Sequence, residues 1–253
     1  MRTNWVREKV LAHEATLGCF LGLGSPNVAE LLAHAGFGWL VIETEHNGLD
    51  AAEVQHMLMA MNGTETIPLV RIPSANPVYI QRALDMGGLG IVVPQVKTAE
   101  EAAAIVQATR YPPHGKRSFG PLRAEQYGFD RQDYLKRAND NILVVLIIET
   151  AEALDNLEAI AAVDGVDVLY VGPFDLCLSL GWDPLQLPFP AFEAVIERLV
   201  AVSRQHNVAI GVGCSNPAEL QQRRAQGCTF LGYGTDYALL ASAARTALAA
   251  FQA

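Results

Sequence analysis

The chain has 253 residues, 51% hydrophobic and 18% charged, with a formal net charge of −9. This composition supports a large core and excludes a disordered chain, and the acidic balance argues against a nucleic-acid surface, which needs a basic field. Cys19, Cys177, Cys214 and Cys228 form no Cys-x-x-Cys pair, so free thiols in a reducing compartment are expected rather than structural zinc or a disulfide framework. The N-terminal residues lack a signal-type apolar core, and no apolar run reaches the roughly 20 residues that span a bilayer. The expectation is a soluble cytoplasmic protein with no membrane partner.

Strand-like and helix-like segments alternate along the chain. A strand over 17–23 precedes a helix over 27–34, and a strand over 39–44 precedes a helix over 50–61. Strands over 68–72 and 90–96 are followed by helices over 77–86 and 98–110. The next strand, over 142–148, leads to a helix over 151–162. Strands over 168–172, 208–212 and 230–233 complete the set, with helices over 190–206, 217–226 and 237–251. The strands are rich in Val, Ile and Leu without clean alternation, as in parallel strands covered on both faces. Asn76-Pro77 and Asn216-Pro217 supply a cap followed by proline at the first helical position. The eight cycles predict an α/β fold over residues 1–253 as one domain, a closed (β/α)8 (TIM) barrel.

One connection is long. Residues 111–141 separate the fourth helix from the fifth strand and hold a short helix over 131–138, which suits either a lid or a subunit contact.

Polar residues follow several of the apolar runs: Glu43-Thr44-Glu45-His46, Arg71, Glu149, and Gly172-Pro173-Phe174-Asp175. A parallel barrel gathers its strand C-termini on one face, where such enzymes build their sites. Glu149 and Asp175 end consecutive strands and could converge on one hard cation, although each also suits the cap or turn that follows its strand. His46 beside its carboxylates is a natural general base. Arg71 suits a carboxylate or a developing oxyanion, or else a structural ion pair. Lys97 is the one Schiff-base candidate near a strand end. The glycines of Gly211-Val212-Gly213 and Gly232-Tyr233-Gly234 fit a phosphate cradle or simply tight turns. Asp85, near a helix end, reads as a partner for Arg82 or Gln81.

These residues resemble a known family. Phe37-Gly38-Trp39-Leu40-Val41-Ile42 with Glu45-His46, Pro68-Leu69-Val70-Arg71, Arg110-Tyr111-Pro112-Pro113-His114-Gly115-Lys116-Arg117, Ile148-Glu149-Thr150 and Val171-Gly172-Pro173-Phe174-Asp175-Leu176 are similar to motifs of the HpcH/HpaI metal-dependent 2-oxo acid aldolases. The resemblance implies a barrel of the pyruvate/phosphoenolpyruvate-binding type with an N-terminal helix. It also implies a hexamer, a trimer of dimers, whose last helix is exchanged between subunits. It implies Mg2+, Mn2+ or Co2+ on Glu149 and Asp175, His46 as base and Arg71 as transition-state stabiliser and substrate contact. Asp85 would raise the basicity of the histidine across a subunit boundary, and Gly172, Pro173, Phe174 and Asp175 would hold the oxo acid's carboxylate. The implied activity is class II cleavage of a 4-hydroxy-2-oxo acid to pyruvate and an aldehyde. Alternatives are lysis of a malyl or citramalyl thioester, a class I aldolase using Lys97, and a non-catalytic 2-oxo acid-binding barrel. Five departures from the family pattern stand out: Glu43, Ile147, Phe174, Cys177 and the Ser118-Phe119 pair.

Overall fold

In the computed structural model, which describes residues 1–252, eight parallel strands close in sequence order into a barrel. They are β1 (Thr16–Leu21), β2 (Trp39–Glu43), β3 (Ile67–Arg71), β4 (Gly90–Val93), β5 (Leu143–Ile148), β6 (Val168–Val171), β7 (Ala209–Cys214) and β8 (Phe230–Thr235). Around them run α1 (Trp5–Leu11), α2 (Pro26–His34), α3 (Ala51–Ala60), α4 (Pro77–Asp85), α5 (Ala99–Thr109) and α6 (Arg131–Asn141). The remainder are α7 (Ala151–Asp155), α8 (Leu157–Ala161), α9 (Pro173–Ser179), α10 (Pro190–His206), α11 (Pro217–Gln226) and α12 (Asp236–Gln252).

Every expected strand is present, and the period of two decides what each one does. Trp39 and Val41, Ile67 and Leu69, Leu143, Val145 and Ile147, and Val168 and Tyr170 point into the lumen and pack together. The alternate residues, among them Leu40, Ile42, Val144, Leu146, Ile148, Leu169 and Val171, pack outward under the helices. Both faces are apolar, which is why the sequence shows continuous runs. Trp39 stacks on Phe230 at 4.0 Å between centroids, a pairing that adds about 0.5–1.5 kcal/mol beyond simple burial.

Below the barrel, α1 is a plug. Val6 and Val10 join the lumen cluster, and the Asn4 side chain donates to the carbonyls of Leu89 (2.8 Å) and Asn141 (3.2 Å). Arg7 pairs with the buried Asp167 at 2.8 Å, and Asp167 accepts the Val144 N–H at 2.9 Å.

The structure corrects several expectations. The helix expected over 151–162 is two helices, because Asn156 (φ −92°, ψ 10°) leaves helical geometry and donates from its side chain to the Lys97 carbonyl at 2.9 Å. The segment after β6 is not a simple turn but α9, with proline at its first position. The connection over 111–141 joins a helix to the next strand, so it lies on the barrel's N-terminal face and cannot cover its own strand C-termini. There Arg117 bonds Asp85 (2.6 Å) and Tyr134 (3.0 Å) and stacks over Tyr111. Among the described residues no helix is long and apolar enough to cross a membrane.

Candidate active site

The inward rows that fill the lumen continue upward into charge. On β5 the row Leu143, Val145 and Ile147 reaches Glu149; on β3 Ile67 and Leu69 reach Arg71; on β2 Trp39 and Val41 reach Glu43. In β2–β3 pairing Glu43 sits opposite Arg71. Glu43 Oε1 accepts the backbone N–H groups of Glu45 (2.6 Å) and His46 (3.2 Å), while Oε2 takes Arg71 Nη1 at 3.2 Å. Thr44 Oγ1 donates to the Arg71 carbonyl at 2.5 Å. The turn carrying the histidine is therefore built on the residue that also orients the arginine.

Arg71 Nη2 forms a close ion pair with Glu45 and lies 3.9 Å from Glu149 Oε2. Its Nε is buried with no hydrogen-bond partner, a donor left free in the middle of the site. Glu149 is 2% exposed, and its Oε1 accepts the Gln95 N–H at 2.7 Å. Gln95 holds this position in the left-handed region at φ 58°, the kind of local strain that collects at functional sites.

Burial pushes the Glu149 carboxyl above the usual range. The Gln95 N–H and Arg71 pull it back, and the charges of Glu45 and Asp175 push it further up. Glu45 moves the same way, chiefly by burial, against the pull of Arg71 and His46. Glu43, Glu45 and Glu149 thus share one guanidinium, and the charge of Asp175 reaches Glu45 and Glu149 as well, an excess of negative charge.

Asp175 stands in the first turn of α9, and Gly172, the cap of that helix, carries no side-chain cap bond. Gly172 is there for space. A Cβ on it would come within 2.8 Å of Glu149 Oε2. Pro173 opens the helix, and the Phe174 ring is 56% exposed on the rim. His46 is also on the rim, its side chain 63% exposed, with Nε2 3.5 Å from Glu45 Oε2.

Not every candidate joins the cluster. Asp85 ends α4 on the opposite face of the barrel, bound to Arg117, so an effect on His46 requires a second copy of the chain. Lys97 belongs to the cap of α5: its N–H donates to Glu101 at 2.7 Å, and its ammonium pairs with none of the site carboxylates among the described residues. Cys177 is buried in the outer core. The glycines of β7 and β8 do not serve a turn at Gly211 and Gly232. A Cβ at Gly211 would collide with the Tyr170 ring, and one at Gly232 would lie 2.6 Å from Tyr170 Oη. Sequence reading missed Gln95, which acts through its backbone and leaves no side-chain signal, and Tyr170, which looks like any strand aromatic.

Which residues could hold a metal follows from the donor set. Among the described residues no three His, Cys, Asp or Glu side chains are gathered to ligate an ion. Glu45 is engaged by Arg71, which leaves the buried Glu149 and the exposed Asp175, whose charge reaches it, as the carboxylates that could hold a hard cation completing its sphere with water and substrate oxygens.

The chain is similar to known proteins along nearly its whole length. The model of the HpcH/HpaI aldolase/citrate lyase family matches residues 16–243. The chain is 35% identical over 250 residues to a 5-keto-4-deoxy-D-glucarate aldolase of Klebsiella pneumoniae, covering 98% of this chain and 97% of that one. It is 38% identical over 251 residues to a hydroxypyruvate/pyruvate aldolase of Cupriavidus necator, covering 98% and 93%. A solved HpcH/HpaI family protein from Burkholderia cenocepacia superposes with a TM-score of 0.93 at 35% identity, covering 99% of this chain and all of that one. With the barrel and these matches in agreement, the chain belongs to the HpcH/HpaI aldolase/citrate lyase family.

Proposed function

We propose that this protein is a class II aldolase, a carbon–carbon lyase that cleaves a 4-hydroxy-2-oxo acid to pyruvate and an aldehyde and catalyses the reverse addition. The observation that carries the reading is the buried Glu149, flanked by Asp175 and Arg71 above a closed apolar lumen. The aldolase names of relatives at 35% and 38% identity support it.

The excess of carboxylates, with burial raising the proton affinity of Glu149 and Glu45, fits a divalent cation, and Glu149 and Asp175 would hold it. Magnesium, manganese or cobalt bound there would act as a Lewis acid on the 2-oxo group. The free Phe174 and Asp175 N–H groups in the first turn of α9 suit the oxo acid's carboxylate. His46 removes the 4-hydroxyl proton. The C3–C4 bond then breaks, its electron pair forms the enolate of pyruvate, and the aldehyde departs with its new carbonyl. Arg71, with its unpaired Nε, stabilises charge on the enolate oxygen, and losing such a donor costs about 2.7–4 kcal/mol in barrier. Schiff-base chemistry is not favoured, since Lys97 lies in a helix cap apart from the cluster. A cytoplasmic, hexameric enzyme, with Asp85 assisting the histidine of a neighbouring subunit, completes the reading.

Deuterium exchange into the methyl group of pyruvate tests it without knowledge of the aldehyde. Wild type should exchange only with divalent metal, and Glu149→Ala should not exchange at all. Metal-independent exchange, or full exchange in the variant, would overturn the assignment.

A further inference from the structure

Tyr170 is a polar group in a wall otherwise made of hydrocarbon and glycine backbone. It pairs in register with Ile147 on one side and Gly211 on the other. Its ring is laid across β7 and β8, where only glycines leave room: a Cβ at Gly213 would lie 3.3 Å from Oη and one at Gly232 2.6 Å. Phe20 at 5.7 Å and Phe230 at 6.2 Å pack against the ring. The phenol therefore ends at the level of Gly213 and Gly232, which are register partners near the top of the lumen.

Tyr170 is 6% exposed, and no hydrogen bond to a described residue accounts for its hydroxyl. Burial holds the phenol in its neutral form, and the charge of Arg71 reaches it. The buried polar atoms that lack a partner do not include this hydroxyl, so its oxygen reaches accessible space, where a ligand oxygen would bond it. The rest of the cleft divides the labour. The carboxylates, Arg71 and the first turn of α9 address charged parts of a substrate, whereas a neutral hydroxyl suits a neutral one.

We propose that the Tyr170 hydroxyl is a specificity-determining group that hydrogen-bonds a hydroxyl carried beside the substrate's reacting carbons, so that the site favours a hydroxylated 2-oxo acid such as hydroxypyruvate over pyruvate as the enolate-forming partner. This rests on the aldolase reading above.

Tyr170→Phe keeps the ring and removes only the oxygen. With one fixed aldehyde, the ratio of kcat/KM for hydroxypyruvate to that for pyruvate should fall about tenfold in the variant, chiefly through the KM for hydroxypyruvate. The Tm should hold or rise because no internal bond is lost. An unchanged ratio would overturn the proposal. So would a lower Tm with equal losses for both donors, since that marks a structural hydroxyl. Absence of exchange in wild type would instead remove the aldolase reading, and this inference with it.

Discussion

Glu149 concentrates the conflict between folding and function. Its carboxyl is pushed up by burial and by the neighbouring Glu45 and Asp175, so the folded chain holds a proton that the unfolded chain releases. Stability from this group is full below the ordinary carboxylate range and is lost as pH rises through the raised pKa. Glu149→Gln keeps an acceptor for the Gln95 N–H and removes the charge. In EDTA at neutral pH the variant should therefore melt higher than wild type, and the difference should shrink at about pH 4. A lower Tm for the variant at neutral pH would show that the carboxylate stabilises the metal-free protein. The residues that carry charge are legible in the sequence because each follows an apolar run. Gln95 is not, since its contribution is a backbone N–H whose direction is set by a left-handed φ. Glu45 is visible only as the neighbour of His46, yet it is the carboxylate in close contact with Arg71.

At the scale of elements, the loops above the strands are the least legible part of the chain. Helices that open on a side-chain cap begin within a residue or two of where the sequence predicts them: Asn76 before α4, Thr98 before α5 and Asn216 before α11 each accept an N–H of the first turn. Such a cap is worth about 1 kcal/mol and leaves a readable signature. In contrast, α9 follows Gly172 with no side-chain cap, so only Pro173 at its first position marks it. The choice of glycine has its own reason, the 2.8 Å that would separate a Cβ at this position from Glu149 Oε2. Gly172→Ala should therefore weaken Mn2+ affinity and pyruvate exchange by about 10–100-fold while leaving the circular dichroism spectrum unchanged. Titration calorimetry showing wild-type affinity would refute this. The break between α7 and α8 is equally hidden, because Asn156 is tolerated in helices and leaves this one to reach the Lys97 carbonyl.

For the whole molecule, the barrel follows from eight apolar runs, but its surroundings do not. Of α12, only Asp236 is buried, where it accepts the N–H groups of Gly22 (2.8 Å) and Leu23 (3.1 Å). Beyond it Tyr237, Leu240, Leu248 and Phe251 are exposed, an apolar surface of the kind that marks a protein contact. We expect a multimer in sedimentation velocity and a smaller species when the chain is truncated after Asp236; an unchanged sedimentation coefficient would dismiss α12 as the contact. The inward rows of the strands carry a further consequence. Core and chemistry are written in one reading frame, since the alternation that sends Val145 and Ile147 into the lumen also sends Glu149 into the cleft. Deleting a single residue from β5 would turn Ile148 inward and the carboxylate out toward the helices. A one-residue insertion or deletion in such a row is therefore costly unless a bulge absorbs it, as between β1 and β8, where Gly18 pairs with Gly232 but Phe20 with Thr235.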